Sequence, residues 1–374
     1  MFIFYIKLIG EYMKFNKWLF FDVVLLMLFG LLMIYSSSSI WSEYKFGNSL
    51  HYVIHQGIFV VVGIILMIIL SKIDYQIYKK LSTKLLITSI ILLILVLIPG
   101  IGIIRNGSRS WFGIGPFGIQ PSEFTKLTLI IFVSKYLEKS DKYIHDYKHG
   151  VLPILGILLL IFGLIMLEPD FGTGMIIVIS IIALLFISGV NMKFFFILGG
   201  VGVIGIIILI IIAPYRMDRI TSFLNPWSDP LGTGFQIIQS LYSIGPGGLL
   251  GMGLFNSRQK HFYLPEPQTD FIFSIISEEL GVMGVIIVIS LFSVLLYFGI
   301  QIALKCEDKF GKYLSFGLIF QIIVQAILNL LVVIGLIPVT GVTLPFLSYG
   351  GSSLLISSIS IGILLSISRY NLQK

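Results

Sequence analysis

Four carboxylates crowd into one short stretch, LPEPQTDFIFSIISEELG (264–281), of a chain in which only 11% of residues are charged. Glu266, Asp270, Glu278 and Glu279 there cross from a polar loop into an apolar run. A carboxylate in such a place caps a helix, neutralises a buried cation or moves a proton. Pro265 and Pro267 keep the approach extended, and Thr269 is a candidate N-cap for the helix that follows. Asp270 then falls in the first turn at the membrane edge. There it either complements the helix dipole or serves as a general base at the mouth of a cavity. In the second role desolvation would raise its pKa, while Arg109, Lys126, Arg258 or Lys260 would lower it. Arg258 and Lys260 are expected to put positive charge beside it, and Glu266 is the reserve carboxylate on the same approach. Glu278 sits about 12 Å deeper at 1.5 Å per residue, roughly on the same side, whereas Glu279 points elsewhere. Charge inside a membrane segment is expensive, so both are expected in packing or a polar network.

A second constellation is RNGSRSWFGIGPFGIQPSEFTK (105–126). Its glycines and Pro116 predict a folded, non-helical excursion. Pro121 then opens a helix, where its missing N–H costs nothing, just after Gln120. Glu123 and Lys126 follow at i, i+3, within pairing distance. Two readings stand: a salt bridge with Arg109 as an interfacial anchor, or a basic site for an anion with Trp111 as an interface ring.

Three further segments are rich in turn chemistry. MLEPDFGTG (166–174) reverses the chain with almost no loop, and Asp170 or Thr173 can cap the next helix. The segment 219–270 contains Asn225–Pro226, Asp229–Pro230 and a Gly-rich run at 245–253. Between these, 234–244, with Gln236 and Gln239, predicts a short helix lying at the interface. Gln321, Gln325 and Asn329 make one polar stripe at i, i+4, i+8. After it, Pro338, Gly341 and Pro345 break the helix, and Gly350–Gly351 with Ser348, Ser352 and Ser353 allow close helix approach.

The elements that position these residues follow from composition. Apolar residues are 57% of the 374 positions and mean hydropathy is +1.01, against about 25% charged in an ordinary soluble domain. Apolar runs of about 20 residues recur, long enough to cross roughly 30 Å of hydrocarbon as helix. They are continuous rather than alternating, which selects helices over a barrel. The expected fold is all-α and integral to the membrane: one domain over 1–374 with ten transmembrane helices near 18–40, 51–70, 82–99, 121–137, 151–167, 173–189, 194–213, 270–300, 313–337 and 346–367. The first run is too long for a signal peptide and is read as retained. With both termini cytoplasmic, the inner segments hold 17 of the 25 Lys and Arg and the outer ones 7, the expected asymmetry. The outer side then carries two large loops, about 100–121 and 214–269, and is the expected working face. The lone Cys306 forms no internal disulfide. The net charge of +7 is a matter of topology, so no nucleic-acid partner is expected.

Read together, NGSRSW, QPSEFTK, EPDFGTG, NPWSDPLGTGFQIIQS, GPGGLLGMGL, LPEPQTDFIFSIISEELG and PVTGVTLPFLSYGGSS run in order from about 107 to 353. The chain resembles the SEDS family (shape, elongation, division and sporulation proteins) over nearly its whole length. It is closer to the division and sporulation branch than to the elongation branch. The resemblance implies a peptidoglycan glycosyltransferase that polymerises lipid II in the bacterial cytoplasmic membrane for septal or spore-cortex wall. The implied partners are lipid II and undecaprenyl-pyrophosphate-linked glycan, a class B penicillin-binding protein and other divisome or sporulation membrane proteins. Asp270 matches the family's essential aspartate, and Arg109, Glu123 and Lys126 match its polar cavity residues. The sequence holds no His/Cys cluster for a metal, and a divalent cation (Mg²⁺ or Mn²⁺) would come with pyrophosphate rather than with a protein cage. Two alternatives stand beside it: a flippase for lipid-linked precursor, which would need a comparable inner site, and a non-catalytic scaffold for the transpeptidase, which would need no intramembrane charges.

Overall fold

A computed structural model describes residues 15–105, 107–114, 117–144, 146–212 and 214–373. Among these, ten helices shuttle through the bundle: α1 (Lys17–Phe46), α2 (His51–Lys72), α3 (Gln76–Leu97), α4 (Pro121–Lys139), α5 (Leu152–Leu167), α6 (Phe171–Ile187), α7 (Met192–Ile212), α10 (Ile272–Lys305), α11 (Lys309–Val333) and α12 (Gly351–Gln373). Two short helices, α8 (Pro214–Leu224) and α9 (Phe235–Ile244), lie between α7 and α10. By length and composition seven helices could each cross a membrane alone; α4, with its buried Glu123 and Lys126, α6 and α7 complete the ten. The expected boundaries hold to within several residues.

Local chemistry explains many of the ends. The Asn16 side chain accepts from Leu19 N–H (3.1 Å) and starts α1, while Gly47, at φ 64°, closes it by donating to Glu43 O. Pro121 opens α4 and Asp170 caps α6 through Thr173 N–H, both as expected. Following chain direction, both described ends of the chain and the short Lys-rich turns share one end of the bundle, here the terminal end. The 98–120 connection, the 168–170 turn, the 213–271 segment and the 334–350 segment share the other, the loop end.

Four features depart from the expected plan. The 98–120 connection folds as a three-stranded antiparallel sheet, β1 (Ile103–Arg105), β2 (Ser108–Ile114) and β3 (Phe117–Ile119), inside an otherwise helical protein. The helix α8 was not foreseen, although α9 lies where a short helix was expected. The eighth crossing is not one rod. Gly281, at φ 62° and ψ −152°, breaks α10, and the freed Val282 and Met283 N–H groups donate to Gly248 O and Leu249 O of the Gly-rich run. Finally, the last crossing begins at 351 rather than 346.

The chain between α11 and α12 is therefore irregular where it packs into the bundle, with a turn at 345–347. Backbone at that depth is tolerated only where protein satisfies it. Asn329 Nδ2 donates to Val342 O (2.8 Å), Gln325 Nε2 to Thr343 O (3.0 Å) and Gln56 Nε2 to Ser348 O (3.1 Å). The polar stripe Gln321, Gln325 and Asn329 is buried, as its spacing predicted. Gly30 on α1 touches this segment so closely that a Cβ there would lie 2.5 Å from Phe346 O.

Candidate active site at the loop end

Asp270 stands just before α10, partly exposed. Its main-chain carbonyl accepts from Asn329 Nδ2 (2.7 Å), and Gln268 O, two residues earlier, accepts from Tyr349 N–H (2.8 Å). Two neighbouring segments thus fix the backbone at Gln268 and Asp270. Thr269 does not cap the helix as expected; α10 starts at 272, and Thr269 Oγ1 donates to Asp270 Oδ1 (3.0 Å) and to Glu266 O (2.7 Å). Burial raises the Asp270 carboxyl above its ordinary value and the nearby Glu266 adds to this, opposed by the Thr269 hydroxyl and by Arg219. Glu266 holds a positive φ of 42°, a strained backbone of the kind found at functional sites. Its charge also reaches Tyr52, whose ring meets the Tyr349 ring edge-on at 5.0 Å between centroids.

The other expected site residues fall into distinct places. Lys126 Nζ lies 2.8 Å from Glu123 Oε1 and 2.7 Å from Gln325 Oε1, with its side chain 2% exposed. The i, i+3 pair is thus a buried salt bridge anchored to the polar stripe. Arg109 is half-buried on β2, with Nη1 3.5 Å from Leu97 O at the end of α3. Arg109 and Lys126 share no hydrogen-bond partner among the described residues. Trp111 stacks beneath the Arg105 guanidinium, 4.9 Å away. Gln120 Nε2 donates to Asp170 Oδ2 (2.8 Å), and Ser352 Oγ ties α12 to Gly118 O (2.7 Å). Beside Asp170, the fully buried Glu168 has both carboxylate oxygens without a partner among the described residues, and burial, with Asp170 adding to it, pushes it up to about 9.

One expectation about charge needs correction. Lys260 does not lie beside Asp270: it is buried, with Nζ on Phe255 O (2.5 Å) and on Glu279 (3.3 Å). Glu278 and Glu279 sit in a buried polar network, as expected. The 252–260 loop wraps both: Ser257 Oγ and Arg258 N–H donate to Glu278, while Ser36 Oγ (2.6 Å) and Ser257 N–H (3.1 Å) donate to Glu279. Residues about 100° apart on a helix can share a function when the loop curls around them. Arg258 contributes its backbone there and keeps its side chain exposed. Asp229 makes a local turn by accepting from Thr233 N–H (2.8 Å), Asn225 caps the turn before it through its carbonyl, and Ser348 Oγ accepts from Leu344 N–H (2.8 Å). Gln236 and Gln239 are half-buried on α9, which docks on α10 and α11 through Ser240 and Ser243.

Residue-type reasoning missed Arg219, the cation whose field reaches Asp270. It lies on α8 and donates to Val339 O (2.9 Å). The one sequence signal was the amphipathic run PYRMDRITSFL, polar and basic on one side. Among the described residues no three His, Cys, Asp or Glu side chains gather to hold a metal. Glu266 and Asp270 alone could offer a cation two carboxylates at this site, the remaining ligands being pyrophosphate oxygens and water. Chemically, the arrangement is a base of raised proton affinity within the field of the Arg219 guanidinium, at the end of an apolar bundle.

A family model described as cell cycle protein, covering FtsW, RodA and SpoVE, matches residues 17–373. The stage V sporulation protein E of Bacillus subtilis is 52% identical over 348 residues, 93% of this chain and 95% of that protein. A probable peptidoglycan glycosyltransferase FtsW of Trichlorobacter lovleyi is 42% identical, covering 93% of both. Among solved structures, a chain of a peptidoglycan synthase complex that coordinates polymerization and crosslinking superposes with a TM-score of 0.78 at 29% identity, over 96% of this chain and 99% of that one. The rod shape determining protein RodA of Thermus thermophilus gives 0.71 at 26% identity, over 96% and 98%.

Proposed function

The chain belongs to the FtsW/RodA/SpoVE family of cell cycle proteins, and on that premise we propose that Asp270 is the general base of a peptidoglycan glycosyltransferase at the loop end of the bundle. The enzyme polymerises lipid II into glycan strands. The observation that carries the reading is Asp270 itself: a carboxylate with raised proton affinity, its backbone fixed by Asn329, on a partly exposed residue at the loop end.

The step balances with this one base. Asp270 takes the proton from the 4-hydroxyl of the acceptor sugar on lipid II. The freed oxygen bonds to C1 of the donor sugar as the C1–O bond to pyrophosphate breaks, and the undecaprenyl-pyrophosphate departs with the electron pair. Arg109, Arg219 and Arg258 keep solvent access and are suited to phosphate by their planar fork. Lys126 and Lys260 hold Glu123 and Glu279 and so keep the walls in shape. The crosslinking partner is a class B penicillin-binding protein, a reading supported by the solved relative in a peptidoglycan synthase complex. The lopsided polar chemistry, gathered at one end, speaks against a flippase, and a base with raised affinity is unneeded in a scaffold.

General-base catalysis contributes about 10²–10⁴-fold. The nearly isosteric Asp270→Asn should therefore lower glycan synthesis from purified lipid II by at least about 10²-fold. Lipid II binding and the thermal midpoint in detergent should stay near wild type, because Asn329 bonds only the main chain. Normal glycan from this variant would remove Asp270 from the chemistry and turn attention to Glu266.

A further inference from the structure

At the terminal end, away from Asp270, a cavity of about 310 Å³ opens where α1, α10 and α12 meet. Asn16, Lys17, Trp18, Gln301, Lys305 and Asn371 line it. Its walls are tied together independently of any occupant: Asn16 N–H donates to Ser368 Oγ (3.0 Å) and Asn371 Nδ2 to Ile302 O (3.1 Å). Among the described residues no carboxylate lines it, and neither Lys17 nor Lys305 takes part in an ion pair. Two ammonium groups facing one cavity repel each other unless an anion joins them. The rim is apolar: Trp18 is 72% exposed and Leu372 67% exposed. Exposed Trp beside Lys at a helix end marks the level of lipid headgroups, and basic pockets between helices at that level suit anionic headgroups.

We propose that this cavity binds the phosphodiester headgroup of an anionic phospholipid. The volume, at the low end for small-molecule pockets, admits a phosphate and its glycerol but not the acyl chains. Those lie outside, along the apolar surface that Trp18 and Leu372 begin. A free phosphate would gain the same two charges but nothing from that rim. The site is separate from the catalytic reading and stands whether or not Asp270 is the base.

The test uses the purified full-length chain in micelles holding equal phosphatidylglycerol and phosphatidylcholine, with retained lipid read by native mass spectrometry. Wild type should keep phosphatidylglycerol in preference. K305Q, at the exposed rim, should lose that preference about fivefold and K17Q/K305Q about 25-fold, since a lysine near an anionic lipid surface is worth about 1 kcal/mol. The charge-keeping K17R/K305R should retain it, and so should K80Q/K84Q, which removes two exposed lysines from the same end of the bundle. A thermal midpoint measured in phosphatidylcholine alone shows whether each variant folds, and K305Q alone decides the matter if the double variant does not. Three results would overturn the proposal: no preference in wild type, equal loss in K80Q/K84Q (diffuse surface attraction), or displacement of the lipid by inorganic phosphate (a site for the free anion).

Discussion

Asp270 is pulled two ways, up by desolvation and Glu266 and down by Thr269 and Arg219, and each pull can be removed separately. A general base works only when deprotonated, so activity should rise with pH through its folded value, and the acid limb of kcat/KM should lie above the ordinary carboxylate range near 4. Arg219→Gln removes a stabiliser of the anion and should move that limb to higher pH. Glu266→Gln removes a repelling charge and should move it lower. Initial rates of lipid II polymerisation across the acid and neutral range measure both. A limb that stays put in both variants would mean that the titrating group is not Asp270. At this scale the sequence was half legible. A carboxylate at the start of an apolar helix could be picked out from its neighbours in the chain. Its opposing partner could not, because Arg219 lies 51 positions away on a short helix whose docking no local pattern specifies.

The element that holds Asp270 in place is the irregular 338–350 segment together with the polar stripe of α11. Asn329 donates both to Asp270 O and to Val342 O, joining the start of α10 to that segment. Asn329→Leu would strand one buried and one partly buried carbonyl, and a buried one costs about 1–3 kcal/mol when unsatisfied. We expect a loss of about 2–4 kcal/mol, read as a clearly lower unfolding midpoint in detergent. Gln321→Leu, on the same stripe, should cost much less, since no hydrogen bond from Gln321 to 338–350 is among those that hold the segment. Equal losses would show that the stripe matters for packing and not as a brace. Helix breakers at Pro338, Gly341 and Pro345 announced the interruption, but not that the interruption would pass beneath Asp270.

For the whole molecule, we propose from the excess of Lys and Arg in the terminal-end segments that this end is cytoplasmic, which would put the site at the outer face. The single Cys306 makes this simple to check. In a Cys306→Ser background, Lys45→Cys should react with a membrane-impermeant maleimide on intact cells, whereas Lys80→Cys should react only after lysis. Both positions are exposed and lie at opposite ends of the bundle. The reverse pattern would put Asp270 in the cytoplasm and end the reading of an outer-face polymerase.

The sequence by itself determined the helical membrane class, the ten crossings, most helix ends and the stretch that bears Asp270. Each of these depends on hydrophobic length, charge asymmetry or a cap within a few residues, which are physical effects carried by near neighbours. Only the tertiary structure decided which charges face one another. Lys126 closes on Glu123 and Gln325, Lys260 turns to Glu279 rather than Asp270, and Glu278 and Glu279 together hold the 252–260 loop. A buried charge settles wherever a partner can offset its desolvation, and that partner is chosen by packing across the bundle rather than by spacing along the chain.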